Sequence, residues 1–272
     1  MTVRMGDDRV LGFDVEARRS ESREGARACF ALGVRKSGSS IFSSVVSALA
    51  QFNGLNVVDI PGTMFQHGYR YVDWNGYRRL SDLLWRGNVY IGFRDPPTAL
   101  YGDPVFAGGA KILLVRDPRD ALVSEYFSNA FSHSLPGAGA TSVIEKERGL
   151  ALASGVEEYA LKRVQYLNRT VAGYRALLKD PHLKIMRYED VIFAKDRWIR
   201  DIAAHYGWAA SDELVTNILS WADVRPDVED PKAFIRHVAP GDHLDKLSPD
   251  AIGRINGQLS DMWSQFGYVV AD

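Results

Sequence analysis

From residue 28 onward, short apolar runs alternate with longer segments in which apolar residues recur every three or four positions. ACFALGV (28–34), LNVVDI (55–60), GNVYIGF (87–93), AKILLVR (110–116) and LKIMRYED (183–190) are too short for helices and predict buried strands. GSSIFSSVVSALAQF (38–52) puts Ile41, Val45, Val46, Leu49 and Phe52 at helical spacing and stops at Asn53-Gly54. Pro61-Gly62 and Pro96-Pro97 end the second and third strands. Asp117 is placed to cap the next helix, with Pro118 in its first turn. Further helices are predicted over 155–179, 196–208, 212–222 and 248–268. Ser132 to Ser154, rich in Gly, Ser and Ala, reads as a loop or lid.

Strands alternating with helices predict an α/β fold, a P-loop-like sandwich with a central parallel sheet flanked by helices. Residues 28–272 are expected to form a single domain, preceded by a charged N-terminal arm (1–27) that is mobile or an early surface hairpin. In such sheets ligands bind at the carboxyl ends of the strands.

Composition restricts the ligand more than the fold. The 272 residues are 46% hydrophobic and 25% charged, and 33 Lys and Arg against 34 Asp and Glu leave a net charge of −1. No global field draws the chain to nucleic acid, so an anionic ligand must be met by local positive charge. The one cysteine, Cys29, excludes an internal disulfide and a cysteine-based zinc site, and its apolar neighbours mark a core thiol. No apolar run approaches the ~20 residues that span a bilayer. The N-terminus lacks the apolar stretch of a signal peptide, so a cytoplasmic protein is expected.

The turn after the first strand carries the chemistry. Gly33 and Gly38 have the separation of an NTPase phosphate loop, but the lysine stands at Lys36, ahead of the second glycine. Arg35, Lys36, Ser37, Gly38, Ser39 and Ser40 would wrap an anion with backbone N–H groups, hydroxyls and one ammonium at a helix N-terminus. Without the post-glycine lysine and a clear magnesium-holding aspartate, the loop favours a single phosphate and no metal. Arg116 ends a strand and Ser124 follows two turns into the next helix, a pair suited to a second phosphate. Taken singly, a Gly-Ser turn and a surface ion pair account for the same residues.

Together, VRKSGSS and ILLVRDPRDALVSEYF resemble the sulfotransferase family that uses 3′-phosphoadenosine-5′-phosphosulfate (PAPS). The resemblance runs in order from about residue 28 to 268 and has features of the family's cytosolic and carbohydrate branches. It implies that the first loop holds the 5′-phosphate and sulfonate, with Lys36 catalytic, while Arg116 and Ser124 hold the 3′-phosphate. LKIMRYED resembles the strand whose tyrosine reaches the adenine, here Tyr188, and LSWAD would place Trp221 on the adenine. AFIRHVAPGDHLDKL resembles a late loop whose arginine, here Arg236, meets the 3′-phosphate, with His237 as a further donor.

The chain departs from that pattern at several points. His237 and Val238 replace a lysine and a glycine, His243 a tryptophan, and Ile41 an adenine-stacking aromatic. Where cytosolic relatives carry their catalytic histidine, IGFRDPP offers only Arg94 and Asp95. Carbohydrate sulfotransferases use a carboxylate soon after the first helix, which makes Asp59 the first candidate base and His67 the second. The implied reaction is in-line transfer of a sulfonate from PAPS to a hydroxyl, or an amine, of a glycan, glycolipid or small metabolite. A Mg-ATP-dependent metabolite kinase and a catalytically inactive PAPS-binding protein are the competing readings.

Overall fold

The structure, a computed structural model, describes residues 2–4, 14–16, 26–66, 69, 71–77, 80–132 and 141–268. Strands β1 (Thr2–Arg4) and β2 (Asp14–Glu16) pair antiparallel as a hairpin within the N-terminal arm. β3 (Cys29–Gly33), β4 (Asn56–Val58), β5 (Asn88–Phe93), β6 (Ala110–Val115) and β7 (Leu183–Arg187) form a second sheet in the order β4-β5-β3-β6-β7. Every neighbouring pair in it is parallel, so the carboxyl ends of all five strands share one edge.

The sheet is covered on both faces because its central strands are apolar on both, as parallel strands require. Cys29, Ala31, Ile112 and Leu114 pack against α1 (Ser39–Phe52) and against the later helices α8 (Lys195–Tyr206) and α9 (Asp212–Ala222). Phe30, Leu32, Leu113 and Val115 point the other way. They join Val164, Leu167 and Val171 of α6 (Thr141–Ala172) and Ile255 of α11 (Pro249–Asn256). The shorter helices α2 (Ile60–Gln66), α3 (Tyr71–Asn75), α4 (Pro104–Ala107), α7 (Tyr188–Val191) and α10 (Asp242–Lys246) lie in the connections. Helix α5 (Pro118–Phe127) follows β6, capped as expected by the Asp117 carboxylate accepting from Arg119 N–H at 2.9 Å.

Three expectations need correction. Residues 141–154 are helical, not a loop, and α6 begins at Thr141, bending at Gly155 (φ 71, ψ 171). Glu145, Lys146, Glu147, Arg148, Leu150, Ala151, Leu152 and Ala153 are good helix formers, and Ala151 gives this arm a contact by packing on Ala130 and Tyr159. The remainder of the expected lid, 133–140, lies outside the described residues. Pro61-Gly62 does not turn the chain out of β4 but opens α2, since proline fits a helix's first turn and Asp59 caps it. The last helix ends at Asn256, and Asp261–Phe266 form a separate 3₁₀ turn.

One buried charge sits far from the active edge. The Lys111 ammonium donates to the carbonyls of Ala107 (3.3 Å) and Gly109 (2.9 Å) and pairs with Asp180 at 2.8 Å. Removing only the anion strands a buried cation, whereas removing the cation does not. Asp180→Ala should therefore cost about 3–5 kcal/mol and Lys111→Met clearly less, read from urea midpoints; the reverse order would disprove this account.

Candidate active site

The loop from β3 to α1 reverses sharply. Lys36 has φ 65 and Gly38 φ 86. A Cβ on Gly38 would lie 3.1 Å from the Tyr188 ring, so only glycine fits there. The Ser37 N–H and hydroxyl both donate to the Val34 carbonyl, at 3.1 and 2.6 Å, and tie the turn to itself. Gly38 has no side chain to cap α1, which leaves the first N–H groups of that helix to an external acceptor. Ser39 and Ser40 begin the helix, and Arg94 donates to the Ser40 hydroxyl at 3.1 Å.

Cations converge on this turn. Burial pushes the Lys36 ammonium down to about 8, helped by Arg94, Arg116 and Arg236 and opposed by Glu125. Arg116 is buried, with its guanidinium 4.3 Å over the Tyr188 ring and one nitrogen donating to the Lys36 carbonyl at 3.3 Å. Another nitrogen lies 3.8 Å from Asp120, and Nε is buried with no partner. Burial would raise the Asp120 carboxyl, but bonds from the His243 ring (2.6 Å), the Arg116 charge and the N–H groups of His243 and Gly241 hold it at about 2.

The other expected residues divide. Ser124, half-buried on α5, follows Arg116 on the same strand–helix turn. Arg35 grips Asp95 with bonds of 2.7–3.0 Å from Nε and one terminal nitrogen. Arg236 enters with its terminal nitrogens already paired to Glu229 and Asp242, its guanidinium 4.0 Å over Phe127. His237 offers a ligand atom within 4.8 Å of those of Glu229 and Asp242, but Arg236 and Lys246 already neutralise these carboxylates. Trp221 lines a groove along α1 that Asp59 and Arg94 also line. His67 lies outside the described residues.

Asp59 closes β4 against a bulge. β5 slips register beside β3 between the pairs Phe30–Tyr90 and Leu32–Phe93, and Gly92 there has φ 84. A Cβ on Gly92 would lie 2.0 Å from Asp59 Oδ1. Oδ1 accepts from Gly62 N–H at 2.7 Å. Burial raises the Asp59 carboxyl, against that bond and the Arg94 charge.

Sequence reasoning missed the residues that hold these groups in place. Glu125 binds Arg163 at 2.6 Å, Arg163 lies 4.2 Å over the Tyr166 ring, and Arg35 lies 5.7 Å from the same ring. Glu125 stands directly after Ser124, the one signal of this group available in the sequence.

The family model described as the sulfotransferase domain matches residues 27–224. The chain belongs to the sulfotransferase family. Among solved structures, a mouse sulfotransferase, SULT7A1, complexed with PAP superposes with a TM-score of 0.56 at 13% identity, covering 90% of each chain. A retinol dehydratase in complex with androsterone and inactive cofactor PAP gives 0.52 at 15% identity, over 89% of this chain and 82% of that one. Among curated proteins, none matches in sequence. The likeness to these structures is one of fold, a central parallel sheet flanked by helices. No described helix of this sulfotransferase is long and apolar enough to cross a membrane.

The Lys36 environment can be titrated directly. The ¹³Cε resonance of Lys36 should show a midpoint near pH 8, its ammonium charged below and neutral above. A midpoint in the ordinary lysine range would show that the ammonium is not buried as described.

Proposed function

We propose that this sulfotransferase moves a sulfonate group from PAPS to a hydroxyl acceptor. The observation that carries the reading is Arg116, a buried guanidinium with one nitrogen unpartnered, set against Tyr188 beside the uncapped start of α1. A buried, under-bonded cation next to free helix N–H groups suits two phosphates at once. That donor set fits adenosine carrying phosphates at both 3′ and 5′ positions.

In this reading the N–H groups at the start of α1, with Ser39 and Ser40, bind the 5′-phosphate. Arg116 and Ser124 bind the 3′-phosphate, with Tyr188 beside the adenine. Arg236 joins them only by exchanging the carboxylate of Glu229 or Asp242 for that phosphate. When bound, PAPS supplies an activated sulfonate. Lys36 holds positive charge at the apex of the loop, where the leaving phosphate gains negative charge, and preorganised charge of this kind is the largest usual contribution to such transfers. Asp59 accepts the acceptor's hydroxyl proton at Oδ2, while Gly62 N–H fixes its other oxygen. Its raised carboxyl is a stronger base than an ordinary aspartate.

Calorimetry tests the cofactor. Adenosine 3′,5′-bisphosphate should bind without magnesium and far more tightly than ADP, and Arg116→Ala should remove about 2–5 kcal/mol of that affinity. Preference for ADP with magnesium, or an unaffected variant, would refute the assignment.

The base is tested separately. Asp59→Asn retains a capping side chain, so nucleotide affinity should be unchanged while kcat falls by about 10²–10⁴. Transfer of labelled sulfate from PAPS to an acceptor screened from phenols and oligosaccharides measures it. An undiminished kcat would show that another group takes the proton.

A further inference from the structure

A groove of about 610 Å³ runs along the outer side of α1 from the active edge toward the helix's far end. Its walls include Ser44, Ser47 and Gln51 of α1, Asp59 and Arg94 from the ends of β4 and β5, and Trp221 from the last turn of α9. We propose that this groove is the acceptor subsite and that it takes a neutral sugar chain, one ring seated on Trp221 and its hydroxyls on the polar side chains of α1. The inference rests on the sulfotransferase reading given above and names its substrate class.

Four features select that class. First, the groove is continuous with the chemistry, because Asp59 and Arg94 line it while Arg94 also bonds Ser40 at the start of α1. Second, it is an open trough rather than an enclosed pocket, and from Ser40 to Gln51 it follows about 16 Å of helix at 1.5 Å per residue. Such a shape suits an extended ligand with part of its surface left in water, and would leave a sterol or retinoid skeleton largely unburied. Third, hydroxyl, amide, carboxylate and guanidinium groups can exchange hydrogen bonds with a polyol. The Ser44 and Ser47 hydroxyls donate to helix carbonyls at 3.2 and 2.8 Å and keep lone pairs to accept from a ligand. Fourth, Trp221 is 40% exposed. An indole at the rim of a polar trough has an apolar face and a donor N–H, the two properties that meet the C–H face and hydroxyl edge of a sugar ring.

The charge of the groove sets the charge of the ligand. Among the described residues that line it, Arg94 is the one cation and Asp59 the one anion, fewer cations than a polyanionic glycan would require. This assignment gives Trp221 to the acceptor and leaves the adenine to Tyr188.

Saturation-transfer NMR with maltotetraose, cellotetraose and chitotetraose, set beside 2-naphthol and androsterone, tests the proposal, with and without adenosine 3′,5′-bisphosphate. At least one tetrasaccharide should give saturable signals, weakened tenfold or more by Trp221→Ala and by Ser47→Leu, which fills the trough without touching the indole. Calorimetric affinity for adenosine 3′,5′-bisphosphate should be unchanged in both variants. Failure of every tetrasaccharide, whatever the apolar compounds do, overturns the inference. So does loss of nucleotide affinity in Trp221→Ala, because the indole would then belong to the adenine. Failure of the wild-type protein to bind the nucleotide would instead strike the cofactor reading, and the nucleotide-free saccharide titration would still decide the groove.

Discussion

Positive charge concentrated around one backbone turn is the constraint on which the site depends. Two like charges 4 Å apart repel by about 4 kcal/mol at a surface-like effective dielectric, so Lys36, Arg94, Arg116 and Arg236 cannot be gathered without compensation. The compensation comes from carboxylates placed behind the cations. Asp95 holds Arg35, Asp120 lies beside Arg116, Glu125 opposes the others at Lys36, and Glu229 with Asp242 hold Arg236. Each anion except those on Arg236 leaves its cation, or a neighbour, with capacity to spare. The unpartnered Arg116 Nε and the depressed Lys36 are what remains after that compensation. An arrangement balanced for stability alone would have satisfied both.

Fixing these charges to a fraction of an ångström falls to the loops at the sheet's carboxyl edge, and tyrosine hydroxyls do much of it. Tyr174 donates to the Gly33 carbonyl at 3.1 Å, Tyr71 to Pro96 at 2.7 Å and Tyr101 to Gly173 at 2.7 Å. On the far side, Glu189 accepts from Asp117 N–H at 2.8 Å and from the Tyr268 hydroxyl at 2.7 Å. These bonds run from helices and chain ends into the turns after β3, β5 and β6. The turn after β3 is therefore tied to Tyr174, 141 positions later in the chain, and the left-handed Lys36 within it is held by long-range contacts rather than by local preference.

The strands were legible because both faces of the sheet are buried, which makes each strand a short apolar run, and the caps at Asp117 and Ser248 because their chemistry is local. The tight turn from β3 to α1 was legible because it is built of small residues with a glycine at a left-handed position. What escaped is non-local or weakly encoded. The first part of α6 carries no strong apolar stripe, and its contacts, Ala151 against Ala130 and Tyr159 and Arg148 on the Asn129 carbonyl, are non-local. Arg35 looks like part of the loop's cationic face, and its turn toward Asp95 follows from a residue sixty positions later. Arg236 reads as free to meet a phosphate, yet Asp242, six residues on, closes around it because the late loop folds back on itself. Spacing shows which charges are near in sequence, not which way a guanidinium turns.

Asp59 illustrates why a structural and a chemical role need not compete at one carboxylate. Capping α2 occupies Oδ1, and on its own that bond would make the group more acidic and a poorer base. Burial against the bulge at Gly92 acts in the opposite direction and wins. The cap thus fixes orientation, the bulge packs close to the carboxylate, and Asp59 lines the α1 groove beside Arg94. The bulge interrupts the β3–β5 ladder to make room for this side chain, a cost that a cap alone does not require.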